Sequence, residues 1–210
     1  MTSPSAARVE WLTVAGDAAA WRDVGLNVDA AGTIPLFGTS LRLVPGAPDG
    51  LLGWALSGVD AAPATIDGLA TEVVQPLPPM FSDHPLGAIG LDHVVVLSAD
   101  LDRTSDAITA ATGCELRRVR EVGTMRQGFH RMGSGGLIVE IVERPDVPAG
   151  PASFWGIVLD VEDLDAAVDL LGPERVGAAK DAVQPGRRIA TLREGAGLGL
   201  PVALMTPDVR

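Results

Sequence analysis

The chain is poor in cysteine, in basic residues and in long uncharged stretches, and each shortage excludes a class of function. Of its 210 residues only Cys114 is a cysteine, so no disulfide can form within the chain. Basic side chains number 16 against 27 acidic ones, for a net charge of −11 and an isoelectric point near 4.6. Such a surface repels phosphate backbones, and no nucleic-acid partner is expected. The longest stretches free of charge, 147–159 and 195–207, run 13 residues and contain Pro and Gly. A membrane helix needs about 20 apolar residues, so no membrane span is expected. Residues 1–11 lack the charged start and apolar run of a secretory signal, which makes the cytoplasm the expected location.

What is present is enough for a packed core. Hydrophobic residues make up 47% of the chain. The 25 glycines and 16 prolines together fall short of the roughly 25–30% that marks a low-complexity chain. Apolar runs of strand length alternate with a few helical stretches, which predicts a mixed α+β fold. Residues 93–98 (HVVVLS) read as a strand, and 100–111 (DLDRTSDAITAA) as a helix with acidic residues in its first turn. Three further strands are expected at 115–122, 125–132 and 137–143, separated by Gly123 and by Gly133-Ser134-Gly135-Gly136. The unit is β-α-β-β-β.

The unit repeats. Asp100-Leu101-Asp102 recurs as Asp163-Leu164-Asp165, 63 residues on, and at that offset Val94-Val95-Val96 meets Ile157-Val158-Leu159. The far ends, 136–142 and 199–205, align without insertion. Weaker copies start at 9–15 and 52–56, each followed by an Asp (Asp17, Asp60) and Ala-rich, helix-like sequence. Residues 76–87 form a proline-rich linker between a shortened half, 7–75, and a complete two-module half, 88–207.

A tandem β-α-β-β-β repeat with Gly90-Leu91-Asp92-His93 entering a first strand and Gly136 to Glu140 on a last strand resembles the vicinal oxygen chelate superfamily, also called the glyoxalase/bleomycin resistance/dioxygenase fold. The resemblance implies modules paired into half-open barrels, each giving a metal one ligand from its first strand and one from its fourth. His93 and Glu140 match those positions in the third module. The fourth module carries Gly156 and Ala203 there, which cannot donate, and the first two modules carry Glu10 and Gly53 at the first-strand position. The implied cofactor is one divalent ion (Fe, Mn, Ni or Zn) held by His93 and Glu140. Yet characterised catalytic zinc sites keep three protein ligands.

Two functions of different class follow. With two donors missing, the favoured one is a non-catalytic protein binding a small organic molecule in the cavity of the C-terminal barrel. The alternative is a metal-dependent lyase, isomerase or ring-cleaving dioxygenase with Glu140 as the catalytic carboxylate. Without a ligand, the same fold serves as an interaction module with a filled barrel. Homodimerisation is usual in the resembled family. Arg117, Arg118, Arg120, Arg126 and Arg131 put five basic residues into fifteen positions of an acidic chain. Arg118 and Arg120 share one strand face and are candidates to grip an anionic ligand, against the alternative of a solvated outer face. His130, on the third strand, is a further candidate ligand contact. Trp54, Phe154 and Trp155 read as core, Cys114 as a buried small residue, and 195–199 (GAGLG) as a hairpin turn rather than a dinucleotide loop, because it runs into a strand. His84 lies in the linker.

Overall fold

A computed structural model describes residues 7–133 and 136–208; Ser134 and Gly135 of the expected turn lie outside them. The fold is α+β, and the two repeats are built alike. The third module is β7 (Ala88–Ser98), α2 (Leu101–Thr112), β8 (Leu116–Val122), β9 (Met125–Arg131) and β10 (Ile138–Glu143). The fourth is β11 (Ser153–Val161), α3 (Leu164–Leu171), β12 (Lys180–Asp181), β13 (Arg188–Thr191) and β14 (Val202–Met205). Within each, the first strand neighbours the fourth, then the third and the second: β7-β10-β9-β8 and β11-β14-β13-β12. Even the parallel registers coincide at the 63-residue offset, with Val94 opposite Val139 and Ile157 opposite Val202.

The repeated Asp-Leu-Asp motif works as a helix start. Asp100 caps α2 by accepting the Arg103 N–H at 3.0 Å, and Asp163 caps α3 by accepting the Ala166 N–H at 3.0 Å. One orphan donor of the first turn is thereby satisfied in each helix. Gly113, at φ 70°, ends α2 in the left-handed conformation that glycine adopts without a Cβ penalty.

The N-terminal modules are shortened. The first is β1 (Arg8–Ala15), α1 (Ala18–Asp23), β2 (Thr33–Ile34) and β3 (Ser40–Val44); the second is β4 (Leu51–Ser57), β5 (Thr65–Ile66) and β6 (Leu69–Val73). The helix-like reading after Asp60 is corrected: among the described residues no helix separates β4 from β5. Only seven residues lie between the two strands, with Pro63 among them, too short and too broken for a stable helical turn.

Two compact units result. Of the described residues, one comprises those up to Thr13 with Leu52–Pro78 and His93–Trp155, and so holds most of the third module with the second and most of β1; the other comprises Val14–Leu51, Pro79–Asp92 and those from Gly156 onward, holding most of the fourth module with the rest of the first. In the first unit, Val94, Val96, Val139 and Ile141 are buried on the sheet face that packs α2 through Leu101 and Ile108. In the second, Ile157, Leu159, Leu204, Leu164 and Leu171 are buried likewise. No helix among the described residues is long and apolar enough to cross a membrane.

Candidate functional site

Pairing decides which side chains share a face. Opposite His93 on β7 stands Ile138 of β10, so Glu140, two residues on, projects from the same side of the sheet. The His93 Nε2 lies 3.3 Å from Glu140 Oε2, with the side chains 11% and 12% exposed. Glu140 Oε1 accepts a 2.8 Å hydrogen bond from Gln127 Nε2 of β9. Thus His93, Glu140 and Gln127 line one face of the third module.

Arg118 and Arg120 join that face because of an irregularity. Leu116 pairs with His130, but Arg118 pairs with Phe129 and Arg120 with Gln127, a bulge that absorbs Arg117. Regular pairing onward from Leu116 would put Arg118 opposite Gly128, on the α2 side; one inserted residue moves both guanidinium groups to the Glu140 side. Arg131 shares the face and donates to the Gly136 carbonyl at 3.3 Å.

His130 is placed apart. It projects toward α2, 1% exposed, with Nε2 3.0 Å from Ser105 Oγ and Nδ1 2.9 Å from the Cys114 carbonyl. Because a carbonyl only accepts, Nδ1 carries the proton and Nε2 accepts from the serine. Burial lowers its pKa below 6.5, with the Cys114 hydrogen bond opposing, and the neutral ring is a structural strut. Cys114 is buried as expected.

The remaining positions suggested by the repeat hold no metal donor set. Glu10 is 6% exposed, accepts the Ser57 hydroxyl at 2.5 Å through Oε1 and the Leu77 N–H at 3.1 Å through Oε2, and so fastens the start of the linker. At Gly53 a Cβ would lie 2.9 Å from the Ala70 carbonyl oxygen, and at Gly156 2.6 Å from that of Pro201. Both first-strand positions are closed to any side chain unless backbone moves. Ala203 is packed with Val158 and Met205. Among the described residues no group of three or more His, Cys, Asp or Glu is arranged to hold a metal. His93 and Glu140 alone fall one ligand short of a catalytic zinc site, so among the described residues these two do not by themselves fit such an ion.

Arg187 is the charged centre that sequence reasoning missed. Its side chain is 8% exposed and donates to Asp92 Oδ1 at 2.6 Å, Asp160 Oδ1 at 2.7 Å and the Thr206 carbonyl at 2.7 Å, all within the second unit. The available signal was Asp160, a charge where the repeat places apolar Leu97 in the third module. Trp54 is core, edge-on to Phe154 at 5.3 Å and hydrogen-bonded to Thr71 Oγ1, whereas Trp155 is 43% exposed and corrects the core reading. A cavity of about 370 Å³ in the second unit, lined by Arg22, Asn27, Val28, Asp29, Pro35 and Ser82, includes none of the candidate site residues.

A family model described as the Glyoxalase/Bleomycin resistance protein/Dioxygenase superfamily matches residues 90–199. Among solved structures, the chain is similar to a halotolerant catechol dioxygenase (14% identity, 99% of this chain and 89% of the other, TM-score 0.67). It is also similar to a mutant of 4-hydroxymandelate synthase from Streptomyces coelicolor (17% identity, 100% and 94%, TM-score 0.63). Methylmalonyl-CoA epimerase from Mycobacterium tuberculosis matches 59% of this chain and 91% of its own at 19% identity and a TM-score of 0.49. At these identities the likeness is one of fold. No curated protein matches the sequence.

Proposed function

Because the chain belongs to the glyoxalase/bleomycin resistance protein/dioxygenase superfamily, we propose that it uses the fold as a receptacle for a small organic molecule, bound on the Glu140 face of the third module. The single observation that carries this reading is the His93–Glu140–Gln127 set, a covered polar group on a sheet face that also bears Phe129 and Val95. Few polar groups converging on apolar surface are what a small-molecule site needs. In this reading Glu140 is the hydrogen-bond acceptor that fixes the ligand.

A metal-dependent lyase, isomerase or dioxygenase is the second reading, favoured by the 3.3 Å approach of His93 and Glu140 at the two matching positions. It requires a third donor beside His93 and Glu140. One experiment separates the two: elemental analysis of purified protein, with a thermal-shift panel of Mn, Ni, Zn and Fe(II) beside indole as a neutral ligand. Binding alone predicts stabilisation by the organic probe and none by the ions, since only a ligand of the native state raises the melting temperature. An ion-dependent rise abolished by Glu140→Gln supports the metalloenzyme and overturns the proposal.

A further inference from the structure

Resting on that reading, we infer that the ligand is a compact organic carboxylate with a hydroxyl or N–H donor beside it, its anionic end held by Arg118 and Arg120. Three features of the third module define this chemistry. The first is unspent positive charge. Arg103, Arg126, Arg144, Arg187 and Arg188 each pair with an acid, as expected where acids outnumber bases. The side chains of Arg118 and Arg120 make no hydrogen bond or ion pair among the described residues, although the bulge turns them onto the Glu140 side. Two guanidinium groups at i and i+2 of one strand present parallel donors suited to a carboxylate.

The second is an unmet acceptor. Gln127 spends its amide N–H₂ on Glu140, and its Oε1 is buried without a hydrogen-bond partner. A buried acceptor left unpaired is costly, and a ligand donor relieves that cost. Gln127 is the direct cross-strand neighbour of Arg120. Adjacent strands lie about 4.8 Å apart, so the ligand's anion and donor sit within roughly one strand spacing of each other.

The third is orientation. Glu140 stands two strands from Arg118 and Arg120, and its carboxylate repels the ligand's own, so the reversed pose is disfavoured. Exposure grades in the same sense: His93 and Glu140 are covered, Arg120 is half-buried and Arg118 is exposed. Phe129, half-buried between the Arg118 position and Glu140, offers an apolar surface for the ligand's body.

Calorimetric titration of the full chain at low salt tests this with four aromatic probes. Salicylate and anthranilate carry both groups, benzoate lacks the neighbouring donor, and salicylamide lacks the charge. Salicylate or anthranilate is expected to bind about tenfold tighter than salicylamide and several-fold tighter than benzoate. In Arg118→Ala/Arg120→Ala, affinity for the carboxylates should drop about tenfold or more while salicylamide is unaffected. Arg144→Ala serves as the control for lost surface charge, and circular dichroism verifies folding. Carboxylates that bind no tighter than salicylamide, or that ignore the double substitution, overturn the inference. Equal binding of benzoate and salicylate overturns its donor half. Binding of indole, lost in Glu140→Gln, together with no binding of any carboxylate, overturns the inference and leaves the receptacle reading standing; silence from all five probes overturns both.

Discussion

Arg187 and His130 show how a buried polar residue is held by hydrogen bonds to several partners. Arg187 spends its guanidinium on two carboxylates and a carbonyl. Removing one member of such a set leaves buried charge uncompensated, at a cost of about 3–5 kcal/mol. Arg187→Met is therefore expected to lower unfolding stability by that order, read as a shifted midpoint in urea, with Arg187→Lys falling between the two because one ammonium cannot replace the fork. His130 gives a pH signature. Its folded pKa lies below the ordinary 6.5 because burial disfavours the imidazolium. The unfolded chain thus binds the extra proton first as pH falls. The contribution is complete above about pH 6.5 and is lost as pH drops below it toward the folded value. Urea titrations at pH 7.5, 6 and 5 should show stability falling more steeply with acid in the wild type than in His130→Asn; equal slopes would refute it.

Among the elements, the short hairpin of β5 and β6 depends on a turn whose geometry suits only particular residues. Asp67, the sole described non-glycine residue with positive φ (47°), and Gly68 (φ 93°) form a two-residue connection of the Asp-Gly kind that matches strand twist. Asp67 also accepts two hydrogen bonds from Arg103, at 3.0 and 3.1 Å, and one from Thr104, which fastens the hairpin to α2 within the first unit. A Cβ on Gly68 would sit 2.5 Å from Pro151 Cβ and 2.7 Å from the Ala152 carbonyl oxygen. Gly68→Ala is expected to cost about 1–3 kcal/mol from backbone strain alone, more with the clash, measurable by thermal unfolding. The bulge in β8 acts on the same scale. Arg118 and Arg120 could be placed on a common face from the sequence, but which face depended on one inserted residue that no local pattern announces. His130 illustrates the same limit, since its alternation within β9 was legible and its side relative to Glu140 was not.

For the whole molecule, each compact unit gathers segments distant in the chain, most of one C-terminal module with parts of the N-terminal ones, and long-range contacts within a unit hold them together. In the second unit Arg175 reaches the Asp23 carbonyl at 2.7 Å, while His84 accepts the Asn27 N–H at 2.9 Å through Nδ1 and donates to the Pro35 carbonyl at 2.7 Å through Nε2. The linker residue that had no role in the sequence is thus a buried fastening. Module count, order and capping were legible in the sequence because they rest on interactions within a few residues: an Asp at each helix start, β-branched runs, and a 63-residue offset that keeps identical parallel registers. The neighbouring strand positions of His93 and Glu140 were expected only through the family resemblance, since 47 residues separate them.

The sequence by itself determined that the chain is an acidic α+β repeat protein in which Gly156 and Ala203, without donor atoms, stand 63 residues after His93 and Glu140. Tertiary structure alone decided that Gly53 and Gly156 are closed by carbonyl oxygens of neighbouring backbone, that His130 faces a helix, and that Arg187 gathers Asp92 and Asp160. The physical reason is range. Propensity, capping and periodicity act over a few residues, whereas strand register, burial and steric closure arise when segments distant in the chain are brought within a few ångströms.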